Sequence, residues 1–148
     1  MLPMTLREKI GQMIMTGFSD SKITPELHEL ISEYKISNII LFSHNIENAQ
    51  QIFNLCKNLD ETIREHTKTS AFISIDQEGG VVRRLPNDTN NIPGAMLVGA
   101  TGDAENAYRA GKITGEQLKA LGINIDLAPV LDVNSNPNNP VIGVRSYS

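Results

Sequence analysis

Between Ala71 and Pro86 the chain reads AFISIDQEGGVVRRLP, an apolar run that ends in two acids, two glycines and two arginines. Asp76 falls where a strand would deliver its side chain to the rim of a sheet. A carboxylate there can accept two hydroxyl hydrogen bonds, serve as a base or hold a metal ion. It can equally cap a helix or brace a loop through an ion pair. Glu78 follows two residues on and reads as structural, a partner for an arginine or for backbone amides. Gly79–Gly80 lets the backbone turn sharply or pass close to a ligand. Arg83 and Arg84 are neighbours on an extended segment and point to opposite sides, so at most one of them faces Asp76. Arg145 stands among Asn and Pro residues in NSNPNNPVIGVRSYS. A guanidinium there suits vicinal hydroxyls or a carbonyl oxygen, or is simply a surface arginine.

The remaining reactive residue types give less. His28, His44 and His66 have no metal-ligand spacing. His28 and His66 read as solvated helix positions, and His44, at a strand end, is alone. The single cysteine, Cys56, falls on an apolar helical stripe and reads as a core thiol, with no disulfide framework.

These residues need elements to carry them, and the sequence alternates. Thr5 with Glu8 makes a capping box for a first helix with Leu6, Ile10 and Met13 on one face. MIMTGF reads as a strand ending at Gly17–Phe18. Thr24–Pro25 opens a second helix with a stripe of Leu27, Leu30, Ile31 and Tyr34. NIILF is the next strand. A long helix from about Glu47 to His66 buries Ala49, Ile52, Phe53, Cys56, Leu59 and Ile63. Ala71–Asp76 is the third strand, AMLVGA a short helical piece, and Asp103 caps a helix that runs to Leu121 and stops at Gly122. INIDLAPVLDV is the fourth strand, and the rest is loop.

Four strands separated by helices imply crossover connections and a parallel α/β sheet. The strands are continuous apolar runs, as expected when both faces are covered. A small doubly wound sheet and part of a (β/α)8 TIM-type barrel both fit, and both put their sites at the strands' C-terminal ends. At this spacing eight units need roughly 300 residues, inside the range of such barrels. No phosphate-binding glycine loop is present, and NSNPNNPVIGVRSYS reads as a site-like loop with no helix behind it. The pattern therefore favours a partial barrel, the first four β/α units, as one domain over residues 1–148.

The chain has 148 residues, 40% hydrophobic and 20% charged, with a net charge of −4. Its lysines and arginines are scattered, which argues against nucleic acid as a partner. Arg7, Glu8 and Lys9 interrupt the N-terminal apolar stretch, so it lacks the form of a signal peptide, and no apolar run is long enough to span a bilayer. A cytoplasmic protein without membrane contact is the expectation.

FISIDQEGG, VVRRLP and LGINIDLAPVLDVNSNPNNPVIGVRSYS together resemble the N-terminal half of glycoside hydrolase family 3, in its bacterial β-N-acetylhexosaminidase branch. MTLREKIGQMIMTGF and NIILFSHNI fit the same family's opening, so the resemblance covers essentially the whole chain. It implies a (β/α)8-type barrel that removes β-linked terminal N-acetylglucosamine, commonly from peptidoglycan fragments, with retention, no cofactor and no metal. It also implies that Asp76, Arg84 and Arg145 bind the sugar. Val81 stands where relatives often carry arginine, and Ser43–His44–Asn45 where they often carry Ser-Arg-Asn. The family's nucleophile and its histidine acid/base come later in the chain, so the resemblance implies no catalytic residue within these 148 and no turnover by them alone. A β-glucosidase of the same family, a non-catalytic carbohydrate-binding remnant, and a metal-dependent barrel using Asp76, Glu78 and Asp132 are the competing readings. Open barrel edges would also favour self-association.

Overall fold

The computed structural model describes residues 3–148. Its elements are α1 (Leu6–Met13), β1 (Met15–Thr16), α2 (Pro25–Ser32), β2 (Asn38–Leu41), α3 (Ala49–Thr67), β3 (Phe72–Ile75), α4 (Ala95–Gly99), α5 (Ala104–Ala120) and β4 (Ile125–Asp126). Short 3-10 turns at Ser43–Asn45 and Gly143–Arg145 fall where the sequence read as loop. The helix starts follow their capping chemistry. The Thr5 hydroxyl accepts from the Glu8 N–H at 3.3 Å while the Glu8 carboxylate accepts from the Thr5 N–H at 2.7 Å. The side chains of Thr24, Asn48 and Asp103 cap α2, α3 and α5 by accepting from the N–H groups of Leu27, Gln51 and Glu105.

The strands form one parallel sheet in the sequential order β1-β2-β3-β4. This order decides between the two architectures. A doubly wound sheet reverses its strand order and carries helices on both faces, whereas successive right-handed crossovers in sequence order keep every helix on one face. Ile39, Leu41, Ile73 and Ile75 lie in one core with Leu27 and Ile31 of α2, Ile52, Leu59 and Ile63 of α3, and Leu118 of α5. Residues of the other parity, among them Asn38, Ile40, Phe72, Ser74 and Asp76, turn to the second face. Phe72 there is 56% exposed. The sheet is a barrel segment whose concave side carries no helix layer.

Several boundaries differ from the expectation. Only Met15–Thr16 of MIMTGF pairs as strand, because Met13 closes α1. The fourth strand is Ile125–Asp126 alone; the chain beyond runs irregularly, with Leu131 and Val133 exposed. Phe53 and Tyr34, expected on buried stripes, are half exposed: Phe53 lies off the face that α3 turns to the sheet, and Tyr34 follows the end of α2. His28 and His66 meet edge to face, with ring centroids 5.1 Å apart, and His66 is partly buried. Cys56 is a core residue as expected, and burial pushes its thiol up to about 12.

Asparagine side chains extend the short ladders. Asn124 accepts from the Ile73 N–H at 2.9 Å and donates to the Ala71 carbonyl at 2.8 Å, lengthening the β3–β4 seam by side-chain mimicry. Asn38 donates to the carbonyls of Gln12 and Ile14, pinning the end of α1 to β2. Gly11, buried in α1, faces the backbone of Tyr34 and Lys35, and a Cβ there would overlap both carbonyl oxygens. Since those atoms are main chain, α1 would have to move. Gly11→Ala is expected to destabilise the protein by ~1–3 kcal/mol despite alanine's better helix propensity. Urea denaturation followed by circular dichroism measures it, and an unchanged midpoint would contradict the packing.

Candidate functional site

All four strands run the same way, so their C-terminal ends form one rim. On the β2 side, Asn45 is fully buried and knits two loops together. Its Oδ1 accepts from the Phe42 N–H at 2.8 Å, and its Nδ2 donates to the carbonyls of Phe18 at 2.9 Å and Asp20 at 2.7 Å. His44 stands beside it, exposed, its ring stacked on Phe42 and its Nε2 2.8 Å from the Phe18 carbonyl. Nothing in the sequence marks Asn45 for this role, because an asparagine after a strand carries no sign that its amide will be satisfied on both sides.

At the end of β3 the side chains keep alternating. Asp76 continues the open face of Phe72 and Ser74, Gln77 turns inward and is 3% exposed, and Glu78 turns outward again. A tight turn then reverses the chain. The Glu78 N–H donates to the Val82 carbonyl at 3.1 Å, and Gly79 and Gly80 take φ values of +86° and +58°. Both conditions demand glycine, since a Cβ at Gly79 would press on Pro93 and one at Gly80 on Gly94.

The turn brings the two arginines back past the strand end, on opposite sides. Arg83 braces its own loop, donating to the Pro86 carbonyl at 2.6 Å and the Asn87 Oδ1 at 3.0 Å. Arg84 faces Asp76, with Nη2 3.5 Å from Oδ2. This is a long contact between two half-buried groups, and Asp76 makes no other side-chain hydrogen bond among the described residues. Arg145 is placed differently. Its Nε and Nη2 donate to the Glu78 carboxylate at 2.8 and 2.7 Å, and its Nη1 donates to the Val141 carbonyl at 3.1 Å. The hydrogen bond to Glu78 holds the guanidinium above its ordinary pKa, with the charges of Glu78, Asp132 and Asp76 adding to it.

The three residues named from the sequence therefore sit on one rim in two different states. Asp76 and Arg84 face each other with unused donors and acceptors; Arg145 is held in a two-point fork. Asp126 closes the arrangement behind them, accepting the Gln77 N–H at 2.9 Å. Beside it a groove of about 530 Å³ runs between Gln77, Glu78, Tyr147 and the small residues of α5, including Ala110 and Thr114; Asp76 and Arg84 do not line it. Among the described residues no cluster of three or more His, Cys, Asp or Glu could hold a metal ion, so Asp76, Glu78 and Asp132 do not form one. No helix is long and apolar enough to cross a membrane, again among the described residues.

Residues 5–148 match the family model described as the Glycosyl hydrolase family 3 N terminal domain. The chain belongs to glycosyl hydrolase family 3. Among curated relatives, Beta-hexosaminidase A of Pseudoalteromonas piscicida is 39% identical over 168 aligned residues, which take in 99% of this chain and 28% of that protein. The glycoside hydrolase family 3 beta-N-acetylglucosaminidase of Paenibacillus sp. str. FPU-7 superposes with a TM-score of 0.95 at 46% identity, covering 98% of this chain and 28% of that one. NagZ from Neisseria gonorrhoeae, solved in complex with N-trifluoroacetyl-D-glucosamine, superposes with a TM-score of 0.80 at 27% identity, over 90% of this chain and 40% of that one. The family 3 chain described here thus spans between about a quarter and two fifths of these relatives.

Asp126 yields a prediction about this rim. Burial raises its carboxyl above the ordinary value, outweighing the Gln77 N–H that favours the anion, and repulsion from Asp76 and Glu78 acts in the same direction as burial. A carboxyl whose folded pKa exceeds its unfolded one contributes stability below the unfolded pKa and loses it as pH rises through the folded value. Asp126→Asn retains an oxygen for the Gln77 N–H without the charge. It is expected to melt above the parent at pH 7, the gap closing as pH falls below about 4. Melting curves across that range test it, and a parent that stays the more stable at neutral pH would show that the hydrogen bond outweighs desolvation.

Proposed function

We propose that this chain is the sugar-gripping part of a retaining β-N-acetylhexosaminidase acting on terminal β-linked N-acetylglucosamine. The observation that carries the reading is the Asp76–Arg84 pair at the exit of β3. Its members are held close but 3.5 Å apart, each about a quarter exposed, with donors and acceptors left over for another molecule. A carboxylate accepts from two vicinal hydroxyls, and a guanidinium donates to ring or acyl oxygens. Arg145, with three of its N–H groups engaged, has two left to reach a substituent of the same sugar.

Family membership and the names of the relatives support the substrate class. In this reading the glycoside comes from peptidoglycan fragments in the cytoplasm, and the grip needs neither cofactor nor metal. A retaining glycosidase needs a nucleophile and a proton donor, with carboxyl groups ≈ 5 Å apart across the scissile bond in the usual arrangement. Asp76 is assigned to the sugar hydroxyls and Glu78 is held by Arg145, so the reading assigns neither role to these residues. The 148 residues bind sugar without hydrolysing it.

Two measurements test the proposal. Asp76→Ala and Arg84→Ala are each expected to weaken binding of N-acetylglucosamine by ~10–100-fold, the loss of charged hydrogen bonds to buried hydroxyls. Titration calorimetry reads this, with glucose as the comparison; affinity for glucose equal to that for the acetylated sugar would favour a β-glucosidase. The purified 148-residue chain is expected to release no chromophore from a nitrophenyl N-acetylglucosaminide above a heat-inactivated control. Reproducible turnover would overturn the assignment of roles.

A further inference from the structure

Gln77 lies between the two acids of the rim and takes no part in either ion pair. Its side chain is buried against the helix layer, and its Oε1 accepts two consecutive backbone N–H groups, from Arg84 at 2.8 Å and Leu85 at 3.0 Å. Its own N–H is tied to Asp126. One amide oxygen therefore clamps the returning strand of the turn onto the end of β3, with Arg84 at the point of attachment.

Arg84 has few other constraints. Its Nε is buried and has no hydrogen-bond partner among the described residues, and its one side-chain hydrogen bond is the long one to Asp76. With the stem packed as far as the buried Nε and one long hydrogen bond at the tip, the guanidinium moves with its main chain. Burial of Leu85, which is 3% exposed, fixes the depth of that segment. Apart from the Glu78–Val82 hydrogen bond before it and the Arg83 brace beside it, depth alone leaves the Arg84–Leu85 main chain free to rotate about its own axis. Two adjacent N–H groups converging on one acceptor remove that freedom, because both must point at the same atom.

We propose that Gln77 is a positioning residue of the sugar grip, holding the Arg84 guanidinium at the distance from Asp76 at which both can engage one sugar ring. The inference rests on the reading of Asp76 and Arg84 given above. The required group is an oxygen acceptor at the end of a three-carbon reach. Methionine fills similar space without that acceptor, and asparagine keeps the amide but falls a methylene short.

The test uses the 148-residue protein, N-acetylglucosamine as the probe and five variants. Gln77→Met is expected to bind the sugar at least ~10-fold more weakly. A core variant, Ile63→Val, serves as the stability control, assayed at the same margin below its melting temperature, and is expected to bind as the parent does. A second readout follows the Arg84 Nε–H resonance, assigned by its loss in Arg84→Lys. Adding sugar shifts it in the parent and in Ile63→Val but leaves it in place in Gln77→Met. If Gln77→Met does not fold, Gln77→Asn carries the same comparison, with loss of binding and of the resonance shift expected. Binding within about twofold of the parent, or a resonance that still shifts on titration, would overturn the role of Gln77. Should Asp76→Ala bind as the parent does, or the parent not bind at all, the sugar reading itself falls and this inference with it. Loss in Asp76→Ala together with retention in the Gln77 variants would remove the inference alone.

Discussion

Parallel strands cannot be joined by tight turns, and this constraint organises the molecule. Each strand must be followed by a return across the sheet. When the strands are added in sequence order and the crossovers share one hand, every return falls on the same side. One face of the sheet is thereby committed to α2, α3 and α5, and every strand delivers its C-terminal residue to the same rim. Asp76, Asp126 and the Phe18–Asn45 junction are neighbours for that reason, although they are far apart in sequence. The alternation of the strand then sorts function from structure. Even-numbered residues of β3 and its extension face the open side, while Ile73, Ile75 and Gln77 belong to the core.

The rim pairs its charges unevenly. Glu78 and Arg145 meet in a two-point fork, with Glu78 only 9% exposed, and such geometry favours persistence. Asp76 and Arg84 meet through one long contact. A buried carboxylate without Arg145 would be strongly disfavoured, so the fork stabilises the loop around it and leaves only the two remaining N–H groups of Arg145 for a ligand. The looser pair is the one that another molecule can enter. Recognition chemistry and scaffold chemistry here use the same two residue types and are told apart by hydrogen-bond geometry.

Much of this was legible in the sequence. The capping residues Thr5, Thr24 and Asp103 announced their helices because a cap is a local interaction. Apolar runs located all four strands, and the opposed directions of Arg83 and Arg84 followed from the extended backbone. What escaped were features decided at a distance. Strand ends depend on whether a neighbour is present to pair with, so INIDLAPVLDV reads as one long strand while only Ile125–Asp126 finds a partner in β3. Phe53 and Tyr34 fit an apolar stripe, yet exposure is settled by what packs opposite. Asn45, Asn124 and Gln77 carry the loop network through amide groups whose partners lie elsewhere along the chain, and no spacing rule identifies them.

The fork between Glu78 and Arg145 spans 67 residues of chain. Closing a flexible loop of that length from the unfolded state costs roughly 4 kcal/mol of entropy by the logarithmic rule. Because burying Glu78 costs desolvation, the net return of the pair is smaller than that. The fork therefore cannot gather its own ends. It needs β4 docked on β3 to shorten the path between them, so the fork depends on a scaffold that other contacts make. The scaffold rests on apolar contacts, whereas the Asp76–Arg84 pair, only eight residues apart, needs no such long closure. A chain caught with the fork open would hold its core while presenting two separate, unpaired charges.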